Sequence, residues 1–303
     1  MAILPGTADL LLHEARRRPF AGRVLELARM TVFLDDERLA RLARRAGTSL
    51  ADVSARRSRD PVLGAHGFLD DESFFRRLGF TGVDSLDVSD YEGAGIVHDL
   101  NEPVPEELHG RYDVVFDGGT LQHVFHQPRL MANLHALTAP SGRVIHGLVP
   151  CHNFVDHGFY TFSPTFFQDF YARNGWQIET FYLVDFLPVW LRGRLYAEPM
   201  IAHRYEPGML DDLSYGRFGA RQTGIFLVAT KAEGATGDQV PQQGHYKQVW
   251  AGGAGRGPAP KESTEIPALR PWDPLLLHVK RWKERLRRHV PRRLPGERVG
   301  RFG

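Results

Sequence analysis

The 303-residue chain has only one cysteine, Cys151, and no long apolar run. A single cysteine excludes an internal disulfide framework. A membrane-spanning helix needs about 20 mostly apolar residues, and no stretch approaches that length. The early run Leu10–Leu12 is short, and no lysine or arginine precedes it, so we expect no signal peptide. These absences favour a cytoplasmic globular protein in which Cys151 is a buried apolar residue rather than a nucleophile.

The sequence also lacks a strong overall charge, since 38 basic and 36 acidic residues give a net charge of +2. This balance is not typical of disordered chains or of strongly nucleic-acid-binding ones. The charge is nevertheless uneven along the chain. Residues 261–303 carry 12 basic and 5 acidic residues, or +7, and the preceding 260 residues carry 26 and 31, or −5. The sequence therefore predicts a mildly acidic body followed by a basic tail.

Strand-like and helix-like segments alternate through the body. The predicted strands cover residues 24–27, 83–87, 95–98, 112–116, 143–149, 177–184 and 224–230. Helix starts are predicted at Asp35 or Asp36, at Asp70, near Pro128 and at Ser163, and glycines at 47, 79 and 175 mark helix ends. Residues 1–23 are interpreted as a leader, and 48–67 as an irregular polar insertion. Alternating strands and helices predict a mostly parallel sheet that is covered on both faces.

Three predicted strands end in acidic residues, Asp87, Asp99 and Asp117, and the last is followed by Gly118 and Gly119. Ligands of such sheets bind at the carboxyl ends of the strands, where a carboxylate can accept hydrogen bonds from ribose hydroxyls. Glycines allow close approach of a ligand to the backbone. Aspartate and glycine also form good turns, which is the alternative interpretation of each residue taken singly.

Residues 113–124, Asp-Val-Val-Phe-Asp-Gly-Gly-Thr-Leu-Gln-His-Val, resemble the fourth-strand motif of the methyltransferase type 11 group. Residues 137–144, with Pro-Ser-Gly at 140–142, resemble the segment that leads to the fifth strand of that group. The chain is thus similar to the class I S-adenosylmethionine-dependent methyltransferases from about Gly22 to Lys231. This resemblance implies a three-layer αβα sandwich, with a Rossmann-like, mostly parallel seven-stranded sheet whose last strand is antiparallel.

The resemblance also implies S-adenosylmethionine as cofactor. The residues that match its binding positions are Glu26, Ala28, Asp87, Asp99, Leu100, Asp117, Gly118 and Gly119, with Asp90 as an alternative to Asp87 for the ribose. Two positions depart from the family pattern. Ala28 stands where the first motif has its first glycine, and no further glycine follows it. Gln122 replaces a glutamate.

The loop after the fifth strand contains two histidines, an aspartate and a tyrosine within residues 152–160. The loop is expected to face the acceptor, so His157 is the predicted general base, with Asp156 or Tyr160 as its orienting partner. In the alternative interpretation these residues only close the loop over the pocket. A metal site built from His152, Asp156 and His157 with His123 or His126 was weighed, but the spacing matches no ordinary zinc pattern, and no metal is predicted.

The predicted domain spans residues 1–232 and includes insertions at about 48–67 and 185–222. A linker with seven glycines and three prolines follows at 233–260, and then a basic amphipathic helix and a disordered tail at 261–303. Trp282 in the apolar stripe of segment 274–290 favours peripheral contact with an anionic membrane surface over nucleic acid. A solvated helix or one that docks on a protein is the other interpretation.

The sequence supports two hypotheses. The first is a methyltransferase that moves a methyl group in line from S-adenosylmethionine to a small-molecule or sugar-linked acceptor, with no nucleic acid as substrate. The arginine- and aromatic-rich insertion, with Trp190, Arg192, Arg194 and Tyr196, is then expected to shape the acceptor pocket. The second hypothesis is a catalytically inactive binding or scaffold module of the same fold. The Ala28 turn distinguishes the two, because a backbone that cannot approach the cofactor would favour the second.

Overall fold

The computed structural model describes residues 1–186, 188–191, 194–197, 199–210, 221–244, 279, 294 and 296–303. The α-helices of this part are α1 (Pro5–Arg17), α2 (Asp36–Ala46), α3 (Pro61–Ala65), α4 (Asp71–Leu78), α5 (Gln127–Leu137) and α6 (Pro164–Arg173). The strands are β1 (Ala2–Ile3), β2 (Arg23–Leu27), β3 (Thr31–Val32), β4 (Gly82–Asp87), β5 (Ile96–Val97), β6 (Tyr112–Asp117), β7 (Thr138–His152), β8 (Gln177–Phe186), β9 (Pro188–Leu191), β10 (Arg194–Ala197), β11 (Met200–Arg204), β12 (Gln222–Thr230) and β13 (Arg298–Phe302).

The main sheet has the strand order β13-β11-β8-β12-β7-β6-β2-β4-β5. Strands β5, β4, β2, β6 and β7 are parallel to one another, and β12 runs antiparallel between β7 and β8. The prediction of a mostly parallel Rossmann-like sheet with an antiparallel last strand is confirmed. The number seven was wrong, because β11 and β13 extend the sheet beyond β8 to nine strands.

Each face of the sheet carries its own hydrophobic core. Residues of α1, α2 and α4, such as Leu11, Leu39 and Phe74, pack in one core, and residues of α5 and α6, such as Leu134 and Phe167, pack in the other. The molecule therefore has the three layers that the alternation of strands and helices predicts. The chain leaves β2 toward β4 and β5 on one side and later returns through β6 and β7 on the other. The order of strands thus reverses between β2 and β6, where sheets of this kind bind ligands.

The predicted helix ends are confirmed. The side chains of Asp35, Asp70 and Ser163 each accept a hydrogen bond from a backbone N–H in the first turn of α2, α4 and α6, respectively. Gly47 and Gly79 close α2 and α4 with φ of 71° and 115°, in the left-handed region that glycine occupies without strain.

Three segments differ from the sequence-based expectation. The predicted leader contains α1, whose Leu10, Leu11 and Leu12 are almost fully buried against α2 and the sheet. The predicted disordered tail ends in β13, which pairs with β11 and so satisfies its backbone hydrogen bonds. The start of the predicted linker is packed on the body, since Thr236 O accepts from Trp176 Nε1 at 2.8 Å.

Other predictions lie outside the described residues. These are the linker from 245 to 260, the basic helix at 274–290 apart from Val279, and the side chains of Trp190, Arg192, Arg194 and Tyr196. Within the described part of the chain, no helix combines the length and the apolar character that a membrane crossing requires.

Candidate active site

A cavity of about 810 Å³ opens at the carboxyl ends of β6 and β7, beside the point where the strand order reverses. One wall consists of Gly118 and Gly119, which follow β6. The rest is formed by Gln122 and His123 after that turn, by the end of β7, by the loop at 153–157, by residues around β1 and β3, and by Phe186 and Gln222. A side chain on Gly119 would enter the cavity, because its Cβ would meet only Gln122 Nε2 at 3.4 Å and Met1 Sδ at 3.8 Å.

The glycine turn is held by Asp117, the last residue of β6. Its Oδ1 accepts hydrogen bonds from the N–H groups of Gly119, Thr120 and Leu121 at 3.1, 2.8 and 3.2 Å. Thr120 in turn donates its hydroxyl to Leu27 O at 2.6 Å, which ties the turn to the end of β2. Asp117 is fully buried, so this predicted cofactor residue shapes the wall of the cavity instead of facing a ligand.

The second carboxylate oxygen of Asp117 belongs to a buried polar chain. Oδ2 lies 2.9 Å from His146 Nδ1, and His146 Nε2 lies 2.7 Å from the Tyr171 hydroxyl. Burial disfavours the Asp117 carboxylate, but the hydrogen bond and charge of His146 and the backbone donors outweigh burial and lower the pKa of Asp117. Burial and the nearby Asp117 charge raise the pKa of Tyr171 well above its usual value. His146 was not among the predicted site residues, although a histidine inside an apolar strand signals a buried partner.

The turn after β2 forms with alanine in place of glycine. Ala28 has φ of 63°, in the left-handed region that L-residues rarely adopt. Its N–H donates to Leu86 O of the neighbouring strand β4 at 2.7 Å. The backbone therefore makes the turn that the resemblance expects at this position, at the cost of local strain.

A cluster of three charged or ionisable side chains, Arg29, Asp71 and Glu26, adjoins this turn. Arg29 donates from two nitrogens to the two carboxylate oxygens of Asp71, at 2.6 Å each, and Met30 N donates to Asp71 Oδ2 at 3.1 Å. Glu26 Oε1 lies 3.6 Å from Arg29 Nε. Burial and the neighbouring Asp71 raise the pKa of Glu26 well above its usual value, so the fold favours the protonated form of this side chain. Glu26 is buried next to Arg29, and this position does not favour direct contact with a cofactor. That contact remains a prediction.

Glu26→Gln should make the protein more stable than wild type at neutral and alkaline pH and leave it unchanged near pH 4. Unfolded Glu26 ionises near its reference pKa of 4.5, whereas the folded side chain ionises only at a higher pH. Stability conferred by the protonated form is therefore full below 4.5 and is lost as the pH rises toward the raised pKa, by up to about 1.4 kcal/mol per pH unit. Urea unfolding between pH 4 and 8 measures this gap, with Glu37→Gln on the exposed start of α2 as the control. Parallel pH profiles of wild type and Glu26→Gln would contradict the assignment.

Asp87 and Asp99 are the acidic residues predicted to contact the ribose and the adenine, and each has one carboxylate oxygen without a described hydrogen-bond partner. Asp87 Oδ1 accepts from the N–H of Val88 at 2.6 Å, and Asp99 Oδ1 accepts from the backbone and side chain of Asn101. Among the described contacts, Oδ2 of each has no hydrogen-bond partner. Asp87 ends β4 opposite Val97 of β5, and Asp99 follows two residues after Val97. Neither aspartate is among the residues that line the cavity. Leu100 is buried in the second core, and its carbonyl accepts from Asn133 Nδ2.

The loop that contains His157 reaches the cavity, but the predicted orienting partners do not approach it. Tyr160 donates its hydroxyl to Phe125 O at 2.8 Å, which engages it elsewhere. Asp156 is exposed and lines the cavity, and no described hydrogen bond joins it to His157. The ring of His157 instead meets the ring of His123, with centroids 5.3 Å apart and the planes at 71°.

His123 is the candidate base that the sequence analysis missed, having weighed it only as a metal ligand. Partial burial, and next the charge of His157, lower the pKa of His123, so its ring is neutral at pH 7 and can accept a proton. The ring lines the cavity one residue from Gln122. The position of His123 in the motif at 113–124 was the sequence signal that could have identified it as a site residue.

The residues weighed for a metal site do not converge. In the described part of the chain, no group of three or more His, Cys, Asp or Glu side chains is arranged to hold an ion. His126 Nδ1 accepts from Arg129 N at the start of α5, and His152 lines a separate cavity of about 350 Å³ beside α6. Cys151 lines that second cavity too, and burial raises the pKa of its thiol to about 12, which leaves it unreactive at neutral pH.

No protein-family model and no curated protein matches the chain. Among solved structures, it is similar to a provisionally assigned methyltransferase of Bacillus halodurans, at 10% identity and a TM-score of 0.41, over 74% of this chain and 98% of that one. It is also similar to the YcgJ protein of Bacillus subtilis, at 12% identity and a TM-score of 0.38, over 75% and 99%.

A third similar structure is the 1,6-didemethyltoxoflavin-N1-methyltransferase of Burkholderia thailandensis, which contains S-adenosylhomocysteine. It shares 16% identity at a TM-score of 0.33, over 75% of this chain and 77% of that one. At such identities a likeness concerns the fold alone.

Proposed function

We propose that the chain is an S-adenosylmethionine-dependent methyltransferase that acts on a small-molecule acceptor. The observation that carries this proposal is the cavity at the strand-order reversal, with the bare backbone of Gly118 and Gly119 as one wall. Its volume of about 810 Å³ is within the range of ligand sites, about 300–1,000 Å³.

The residues present fit the cofactor at three points. The space in front of Gly119 is free of protein atoms that a Cβ would strike. The Oδ2 atoms of Asp87 and Asp99 are available to ribose hydroxyls and to the adenine amino group. The left-handed Ala28 gives the turn after β2 a glycine-like path. We assign Asp87 and Asp99 to the adenosine part, and the Ala28 and Gly118–Gly119 turns to the methionine part.

When bound, S-adenosylmethionine supplies a methyl group on a positively charged sulfur. The chain then has to orient the acceptor in line with that group, exclude water and remove the proton of the acceptor. We assign proton removal to His123, because its ring is neutral at pH 7 and lies on the cavity wall. His157, in edge contact with His123, is assigned to positioning that ring and the acceptor.

Binding of the cofactor tests the proposal before any acceptor is known. S-adenosylhomocysteine should raise the melting temperature, because a ligand that binds only the native state stabilises it by about 2.7 kcal/mol at 100 times its Kd. Asp87→Ala should weaken binding at least about tenfold through the loss of charge-assisted hydrogen bonds. Calorimetric titration of each variant measures this change.

Asp90→Ala is the matched control, since Asp90 is an exposed aspartate three residues away in the same loop. It should bind S-adenosylhomocysteine like wild type, and His157→Ala should also retain binding. Equal losses in Asp87→Ala and Asp90→Ala would contradict the assignment of the ribose contact. Absence of any stabilisation at millimolar ligand would overturn the enzyme and favour a binding or scaffold module of the same fold.

We also propose that the protein contacts a membrane surface from the cytoplasm. The +7 charge of residues 261–303 and the position of Trp282 support peripheral contact of segment 274–290 with an anionic membrane surface. Docking of this segment on a protein partner is the alternative. Sedimentation with anionic and with neutral vesicles separates the two.

A further inference from the structure

The acceptor end of the cavity is mostly apolar. Phe33, Leu148, Phe154 and Phe186 form its walls together with backbone atoms. The rings of Phe154 and Phe186 are 6.1 Å apart with their planes at 57°, and Phe154 also meets His157 at 6.0 Å. Aromatic walls at such angles bind planar apolar groups by offset or edge contacts.

The cavity has little charge on its walls. None of its lining residues, all within the described part of the chain, is a lysine or an arginine, and Asp156 is the one carboxylate among them. Phosphate and carboxylate groups are recognised by arginine, lysine or clustered backbone donors. The described walls therefore lack the arginine and lysine side chains that usually bind phosphate, and the α-amino group of Met1 is a cationic group whose charge reaches His123. The three phenylalanine rings suit an aromatic body better than the many hydroxyls of a sugar.

Gln122 is the buried one among the polar side chains of the cavity wall, which also include His123, Asn153, Asp156, His157 and Gln222. Its side chain is 2% exposed, and the Oε1 atom has no hydrogen-bond partner. The backbone of Gln122 is held in place, because its backbone carbonyl accepts a hydrogen bond from Phe159 N at 2.8 Å. An unpaired buried acceptor costs about 1–3 kcal/mol, so a ligand that brings a donor here gains that amount. His123, the next residue, can take the proton of the same donor group.

We propose that the acceptor is an uncharged, planar apolar small molecule with one O–H or N–H group. Its body lies against Phe33, Phe154 and Phe186, and its donor group points to the Gln122 side chain and His123. The O–H or N–H bond breaks as the proton goes to His123, and the freed electron pair forms the bond to the methyl carbon. The bond between sulfur and the methyl carbon breaks in the same step, with its electron pair staying on sulfur, so that S-adenosylhomocysteine leaves. This inference rests on the proposed function and names the substrate class of the same cavity.

Four probes with one shared ring system test the class: naphthol, naphthalene, naphthyl phosphate and naphthyl glucoside. Each is titrated against the full chain saturated with S-adenosylhomocysteine, so that no turnover occurs. Naphthol should bind at least about tenfold more tightly than naphthalene, because the site is built to pair a donor. The phosphate and the glucoside should bind more weakly than naphthol. Tighter binding of either, or equal binding of naphthol and naphthalene, would overturn the inference.

Two variants locate the probe in the cavity. Phe154→Ala should weaken naphthol binding about tenfold through lost apolar contact, whereas Phe159→Ala, an exposed phenylalanine outside the cavity, should not. Gln122→Met should reduce the ratio of naphthol affinity to naphthalene affinity toward one. A variant that only loosens the packing of the cavity would weaken both ligands equally and leave this ratio unchanged. An unchanged ratio, or equal losses in the two phenylalanine variants, would contradict the placement.

The binding of S-adenosylhomocysteine distinguishes a failure of the proposed acceptor class from a failure of the proposed methyltransferase function. If the product binds and Asp87→Ala weakens it, but naphthol fails to bind, the acceptor class is wrong while the methyltransferase stands. If the product itself does not bind, the proposed function fails first.

Discussion

Asp117→Ala should lower the free energy of unfolding by about 3–5 kcal/mol, the cost of breaking a buried charged network. The substitution leaves the N–H groups of Gly119, Thr120 and Leu121 without their acceptor. It also leaves His146 without its carboxylate partner in a fully buried position. Urea unfolding followed by circular dichroism at pH 7 measures the loss.

Asp117→Asn is the matched control for charge, and it should cost about 1–2 kcal/mol, the range for one or two weakened hydrogen bonds. The amide oxygen can still accept from the backbone donors, and its NH₂ group can donate to His146 once the imidazole proton moves to Nε2. A loss below about 1 kcal/mol in Asp117→Ala, the value of a single hydrogen bond, would show that the network does not stabilise the fold.

The pH dependence of this effect has a definite sign. Because the pKa of Asp117 is lowered in the folded state, its contribution is present above the unfolded value of 3.8 and is lost as the pH falls through the folded pKa. The stability gap between wild type and Asp117→Ala should therefore be constant near neutrality and shrink below pH 3.8.

Asp71→Ala should cost about 3 kcal/mol, the lower end of the range for removing one partner of a buried ion pair. Arg29 loses both of its short hydrogen bonds, and Met30 N loses its acceptor. The turn at Ala28 is strained and relies on these neighbours, so the variant should also bind S-adenosylhomocysteine more weakly. Denaturation and calorimetric titration measure the two effects.

Glu72→Ala is the control for this prediction, because Glu72 is the next residue of the same helix turn. Its ion pairs with Arg56 and Arg76 are partly exposed, and such pairs contribute about 0–1 kcal/mol. Equal destabilisation by the two substitutions would mean that the cluster under Ala28 is no stronger than a surface pair.

Much of the scaffold could be predicted from the sequence. The parallel strands follow from apolar runs that end in Asp87 and Asp117, and the helix ends follow from local capping at Asp35, Gly47 and Ser163. Helix α1 escaped prediction, because its three consecutive leucines show no helical spacing and their burial depends on α2 and the sheet.

The roles of site residues were harder to predict, because they depend on neighbours that are distant in sequence. Asp117 looks like a cofactor ligand until the register of β6 and β7 sets it opposite His146. His123 and His157 are 34 positions apart, and only the fold of the loop brings their rings together. Ala28 was expected to disfavour the turn, yet Asp71 and Arg29 hold its surroundings in place.

The two outer strands of the nine-stranded sheet have a consequence for solubility. Exposed strand edges are templates for pairing with other chains, and proteins protect them by shortening them or by adding charge. At one edge, β5 has only two residues, Ile96 and Val97. At the other edge of the sheet, as far as the described residues show it, β13 presents Arg298 and Arg301, and its pairing with β11 is irregular between Arg298 and Gly300. Both edges therefore resist strand-to-strand aggregation, and β13 protects the edge of β11 that would otherwise be exposed.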